Sequence, residues 1–388
     1  MWRFSRNGAT FGAMASAVGT YHSEFEAGET ALRVGSVDEA RAHFTKAREL
    51  AGSEAELAEA LGQLGRAYSL AGEYTEAEGV LREAFQHAAG TPAVEARTRM
   101  HMGVVRWLSG DLEAARRYLE QAQAEFKRLG LVHDRSITLG NLGAVAFGLG
   151  DYQHAIRIFE EAIELQESLN DLRRVIINLS NLGECYVDLG AGEQARARLE
   201  RALTLADLID APILTAEALR NLSRIEAEDG RLDEALAQVQ RACELSATYQ
   251  RSDLHAQALY TLSEIRLLRG EMDEAEQVGR ALLAEAGSVN THAASANLIL
   301  GRCALARHDP QALAMLEQGL LEAQASFSKI LILRFHAALG GVVDHPAIAQ
   351  VHRRIALELT DQLAESLQDK ALQQSFRHSS LVRSLSVS

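Results

Sequence analysis

One glycine setting returns seven times along this chain, at Gly35, Gly72, Gly110, Gly150, Gly190, Gly230 and Gly270, with successive separations of 37, 38, 40, 40, 40 and 40 residues. Regular self-similarity on this scale marks stacked repeats rather than a single globular core. Seven residues before each glycine stands a small residue: Gly28, Gly65, Gly103, Gly143, Gly183, Ser223 and Ser263. Five residues after it stands an alanine: Ala40, Ala77, Ala115, Ala155, Ala195, Ala235 and Ala275. The pattern predicts a helix, a tight turn and a second antiparallel helix in every copy. The turn glycine can end the first helix in the left-handed conformation, and the acidic residue that often follows suits the start of the next helix. The small positions mark where two helix backbones approach too closely for a larger side chain.

An eighth, worn copy keeps Gly301 and Ala312 but has Arg307-His308-Asp309-Pro310 in place of the glycine turn. Gly192 in the fifth copy, Gly279 in the seventh and Gly319 in the eighth stand where packing residues are expected. Local looseness follows from them. The eighth pair is expected to open more readily than the third or fourth, because a repeat is held mainly by its neighbours.

Composition agrees with an all-helical chain: 4 Pro, 5% aromatic residues and 47% hydrophobic residues, many of them Ala and Leu. The string NLGAVAFGLGDYQHAIRIFEEAIEL, Asn141 to Leu165, resembles the tetratricopeptide (TPR) consensus. Leu142-Gly143, Gly150-Asp151-Tyr152, Ala155, Phe159 and Ala162 stand in that family's signature places. The long period is similar to the TPRs of Gα-adaptor and kinesin-light-chain proteins and to the TPR arms of bacterial signalling regulators. The resemblance implies a right-handed superhelical solenoid of antiparallel helix pairs. The expected layout is a flexible segment over 1–20, about eight repeats over 21–325, and C-terminal capping helices with a tail over 326–388. Within the last part, apolar Ser326 to Leu339 reads as one helix broken by Gly340-Gly341. A longer amphipathic helix then opens at His345-Pro346 and runs to about Leu367, and a short one spans about Asp369 to Phe376.

A formal net charge of −14 argues against nucleic acid and anionic membrane surfaces as general partners. The three cysteines, Cys185, Cys243 and Cys303, form no ligand spacing and no even framework, which fits a reducing compartment and a cytoplasmic location. No apolar run has the length of a membrane span. Arg3 and Arg6 ahead of Ala9 to Ala17 superficially imitate a signal peptide, but Thr10, Gly12 and Ser16 break the run, and Met14 offers a second start. No phosphate-binding glycine loop, nucleophile with base, or metal-ligand constellation appears. The nearest approach to a ligand pair is His345 and His352. The expectation is a protein without cofactor or metal that binds rather than catalyses.

Binding residues are sought on the first helix of each pair, which lines the concave surface in TPR proteins. Two positions before the small residue stand Gln63, His101, Asn141, Asn181, Asn221 and Thr261. An amide carries donor and acceptor together, so a row of amides can pair with the main chain of an extended peptide. Long-period TPR relatives use asparagines at this place in that way, and the implication extends to Asn141, Asn181 and Asn221. The same face offers Arg66, Arg97, Trp107, Arg220, Arg224 and Tyr260. Arginines and aromatics are over-represented among binding hot spots, and arginines in the groove of an acidic protein would attract an acidic peptide. The first expectation is an adaptor that holds a segment of another protein; the second is a ligand-responsive sensor of the peptide-pheromone-receptor kind or an accessory to a signalling ATPase. The C-terminal segment reads first as a cap on the last repeat, with a docking or homodimer surface as the alternative.

Overall fold

The computed structural model describes residues 19–286, 290–325, 328–342 and 345–385. The signal-like run and Met14 lie outside the described residues, as do Ser326 and Phe327 at the start of the expected C-terminal helix. The described residues form helices joined by short turns, with no strand among them. They fall into two compact units that divide in sequence between Val105 and Arg106.

The first unit holds α1 (Tyr21–Val34), α2 (Val37–Leu50), α3 (Glu54–Leu70), α4 (Tyr74–His87) and most of α5 (Pro92–Leu108). Thr20 opens α1 with a reciprocal cap to Ser23. Ala31, Ala40, Phe44, Leu64 and Ala67 form the core between the first two pairs.

The second unit begins with α6 (Leu112–Leu129), α7 (Val132–Gly148), α8 (Tyr152–Ser168), α9 (Leu172–Asp188), α10 (Gly192–Leu208) and α11 (Pro212–Glu228). It continues with α12 (Leu232–Thr248), α13 (Ser252–Leu268), α14 (Met272–Glu285), α15 (Asn290–Ala306) and α16 (Ala312–Ala325). Its last helices are α17 (Lys329–Gly340), α18 (Pro346–Ser366), α19 (Lys370–Arg377) and α20 (Ser380–Ser384).

The periodic residues do what their spacing implies. Gly150 has φ 71° and closes α7, with the Asp151 N–H bonded to the Ala146 carbonyl at 2.9 Å. The Asp151 side chain then accepts from the His154 N–H and caps α8. A Cβ on Gly143 would lie 2.6 Å from the Phe159 ring, and one on Gly183 would lie 2.6 Å from Leu199. These two glycines therefore leave room for a buried apolar side chain of the partner helix. The turns from one pair to the next use Asn170, Asp210 and Gln250 at φ 55°, 49° and 54°. These carry a period of 40 residues that the glycine pattern does not reveal.

Two readings are corrected. Gly279 and Gly319 are sites of close approach, not of looseness. A Cβ on Gly319 would meet the Phe335 ring of α17 at 2.5 Å, and one on Gly279 would meet Ile299 at 3.1 Å. Gly192 has ordinary room at the start of α10, with Ile225 3.8 Å from its would-be Cβ.

The C-terminal helices follow the expected order, with α20 as an addition, but their packing differs from that of a simple end cap. Phe335 of α17 covers Leu316 and Leu320 of α16. Ile330, Leu333, Ala356, Leu363, Phe376 and Leu385 share a core with Phe159, Ile176, Leu182, Leu199 and Ile225, far back in the array. The Gln368 N–H donates to Gln153 Oε1 at 2.8 Å. The segment covers the last repeat and also straps the chain back onto α7 to α11. Among the described residues, no helix is long and apolar enough to cross a membrane.

Candidate ligand-binding cavity

Within the first unit, Gln63, Arg66, Arg97 and His101 form one cluster on α3 and α5. Arg97 Nη1 donates to Glu59 Oε1 at 2.9 Å, and Arg66 Nη1 donates to Gln63 Oε1 at 3.4 Å. His101 is buried against α3. Burial, followed by the charges of Arg66 and Arg97, pushes its imidazole down to about 3, so it is neutral at physiological pH.

In the second unit the asparagine row is graded. Asn141 and Asn181 are half-buried, and neither side chain is hydrogen-bonded to another described residue. Asn221 is fully buried, with Oδ1 3.5 Å from Arg224 Nη1. Trp107 is half-buried near the end of α5.

One helical turn beyond the asparagines runs a second row, of which the sequence reading named only Arg224: Glu184 on α9, Arg224 on α11, Glu264 on α13 and Arg302 on α15. Its signs alternate from repeat to repeat. Glu184 receives Arg220 Nη2 at 2.9 Å and Arg224 Nη1 at 3.5 Å. Glu264 receives Arg334 Nη1 at 2.7 Å on one oxygen and 2.8 Å on the other, with Arg302 Nη1 at 3.5 Å. Burial alone would raise both carboxyls, but the paired arginines more than reverse it and hold each below the ordinary glutamate range. Asp188 Oδ1 accepts from Arg224 Nη2 at 2.5 Å, and its other oxygen accepts from the Tyr152 hydroxyl at 3.1 Å.

This pairing revises the role of the predicted arginines. Arg220 is 4% exposed and committed to Glu184, so it is an internal ion pair rather than a ligand contact. Arg224 and Arg97 also have carboxylate partners, and none of the three is a spare charge for an acidic ligand. Tyr260 accepts from Arg334 Nη1 at 2.9 Å beneath the guanidinium, and burial pushes its phenol up to about 12.

The charged row opens onto a cavity of about 650 Å³. Its floor is Asp188 of α9, Arg224 and Glu228 of α11, Thr261 and Glu264 of α13, and Arg302 of α15. Apolar walls come from Ile265, Leu268, Leu298 and Leu305. Ile330, Arg334 and Ala337 of α17 and Leu381 and Ser384 of α20 also line it, and Ser380 of α20 is hydrogen-bonded to Glu228. A concave volume, apolar walls and a few fixed polar groups are the ordinary make-up of a small-ligand site. Arg334 was not legible as a site residue because it lies beyond the periodic part of the chain.

Other candidate chemistry is accounted for. His352 Nδ1 lies 2.7 Å from His336 Nδ1, while His345 is the N-cap of α18. Among the described residues, no group of three His, Cys, Asp or Glu could hold a metal ion. All three cysteines are free, and burial pushes the Cys243 thiol up to about 12, away from thiolate reactivity.

Comparison with known proteins places this architecture. A family model described as MalT-like TPR region matches residues 131–388, and tetratricopeptide repeat models match residues 20–89 and 96–121. No curated protein sequence matches the chain. A Rap protein complexed with competence and sporulation factor superposes with a TM-score of 0.70 at 15% identity, covering 89% of this chain and 99% of its own. NprR in complex with its cognate peptide NprX gives 0.66 at 16% identity, covering 88% and 99%. The Rap conjugation gene regulator of the plasmid pLS20 in complex with the Phr* peptide gives 0.63 at 13% identity, covering 90% and 98%. At these identities the likeness is one of fold: an all-helical TPR solenoid.

Proposed function

Since the chain belongs to the MalT-like TPR family, we propose that it is a non-catalytic regulator that takes a short peptide into the cavity between α9, α11, α13, α15 and the C-terminal helices. The observation that carries this reading is the contribution of the chain's own α17 and α20 to the lining of that cavity. A long segment of a folded partner would have to run past both helices, whereas a small ligand needs only the space between them and the array. The peptides named with Rap, NprR and the pLS20 regulator support the same ligand class. Ligand occupancy is read out as a change in the seating of α17 and α20. Such a change follows only from a difference in affinity between two seatings.

The adaptor reading has its own observation, the uncommitted amides of Asn141 and Asn181, which could grip an extended partner segment. The two readings separate in one experiment. Protein isolated from its source cells is examined by native mass spectrometry beside Ala227→Trp, which fills the cavity. A bound peptide of a few residues, absent from the filled variant, supports the sensor. Retention by both proteins of the same full-length partner, with no small ligand in either, favours the adaptor.

A further inference from the structure

The cavity has three arginines and three carboxylates in its lining, but they are not evenly matched. Arg224 is committed to Asp188 and Glu184. Arg334 and Arg302 both turn to Glu264. Arg334 Nη1 lies 2.7 Å from Glu264 Oε1 and Arg302 Nη1 lies 3.5 Å from the same atom. Those two nitrogens are therefore within about 6 Å of each other, around one oxygen already at close hydrogen-bond distance from Arg334. Arg334 commits its Nη1 to Glu264 and Tyr260, and its side chain is only 20% exposed. Arg302 has the single long contact, and its side chain keeps 37% of its exposure. Glu228, the third lining carboxylate, is bonded to Ser380 rather than to an arginine. The result is a guanidinium with donors to spare at the α13 and α15 end of a chamber that also has apolar walls.

We propose that Arg302 seats a carboxylate of the ligand, namely the free C-terminal carboxylate of a short peptide; the choice of a peptide rests on the function proposed above. A carboxylate matches the planar fork of a guanidinium with two parallel hydrogen bonds, which a neutral amide cannot do. Leu298 and Leu305 line the same chamber, and low polarity strengthens a matched charge pair while penalising an unmatched one. Because α17 and α20 narrow the chamber, a chain end fits it better than the middle of a long chain. Arg334 holds Glu264 in place, which leaves Arg302 as the group the ligand recruits.

The test uses the full chain, its Arg302→Gln variant and four probes: hexanoate, hexanamide, N-acetyl-tetraalanine as the free acid, and the same peptide as its C-terminal amide. Binding is measured by calorimetry or by ligand-detected magnetic resonance. The expected result is at least tenfold tighter binding of each acid than of its amide to the wild type, and loss of that preference in Arg302→Gln. Arg302 has one long contact, so the variant is expected to melt like the wild type. Should it not fold, Arg302→Lys replaces it, with the acid preference reduced because the fork is lost. Equal binding of acid and amide, no binding of either acid, or an acid preference that survives Arg302→Gln overturns the assignment. Arg302-dependent binding of hexanoate with none of the peptide acid upholds the carboxylate seat and removes the peptide reading instead.

Discussion

Arg334 of α17 and Glu264 of α13 stand 70 residues apart in the chain and are joined by contacts of 2.7 and 2.8 Å from one guanidinium nitrogen to both carboxylate oxygens. The pair, with side chains 20% and 19% exposed, pins the aperiodic C-terminal segment to the floor of the cavity. Arg334→Met keeps most of the side-chain bulk and removes the charge, leaving Glu264 with the distant Arg302. The expected loss is about 1 to 3 kcal/mol, less than for a fully buried pair because solvent still reaches both groups. Amide hydrogen exchange should accelerate in α17 and leave α7 and α8 unchanged. Unaltered protection of α17 would show that apolar packing alone seats it.

The graded asparagine row separates binding from stability. Asn141→Ala with Asn181→Ala removes two amides whose side chains have no hydrogen-bond partner among the described residues, so helicity and melting should change by no more than about 0.5 kcal/mol. Ligand or partner binding should weaken. Asn221→Ala removes a fully buried polar group beside Arg224 and should cost about 1 to 2 kcal/mol. Circular dichroism melts of the two variants side by side check both statements. A double variant that unfolds would make the row structural.

The crossing glycines should be the least tolerant positions of the array. Gly183→Ala places a Cβ where Leu199 now lies, and Gly143→Ala does the same against Phe159. Each should cost about 1 to 3 kcal/mol by overpacking, measured by urea denaturation. Reducing the opposing bulk should recover part of the loss, so Gly183→Ala with Leu199→Ala should be less destabilised than the two separate effects combined.

The paired imidazoles of α17 and α18 give stability a definite pH slope. Burial and then the neighbouring His352 push His336 down to about 4, and His352 is also lowered, by burial, with Glu317 opposing. A histidine depressed in the folded state contributes stability that is complete above its unfolded value of about 6.5 and is lost as pH falls toward the folded value. Thermal melts from pH 7 to pH 4 should therefore fall more steeply for the wild type than for His336→Leu. Equal slopes would place the acid sensitivity elsewhere in the chain.

Most of the fold was legible because backbone crossings and turns restrict residue size at fixed intervals. Gly143 under Phe159 is such a restriction, and it repeats whenever the crossing repeats. The turns at Asn170, Asp210 and Gln250 were less legible, since three different residues meet the same backbone demand. Gly319 was misread because its neighbour, Phe335, belongs to a segment outside the period. The site divides in the same way. Arg224 was found from its place on the helix face, and the alternation of Glu184, Arg224, Glu264 and Arg302 could have been found by comparing residues 40, 40 and 38 apart. Arg334 could not, because nothing in its local sequence says which helix it will reach.

The strap formed by α17 to α20 also sets an order for the making of the protein. Residues from α7 to α11 leave the ribosome well before Ile330, Leu333, Phe376 and Leu385, the side chains that share their core. Until those arrive, the nascent array carries an apolar stripe with no counterpart, the kind of surface that general chaperones hold. The middle repeats can stack as they emerge. Their final burial waits for a segment translated more than a hundred residues later.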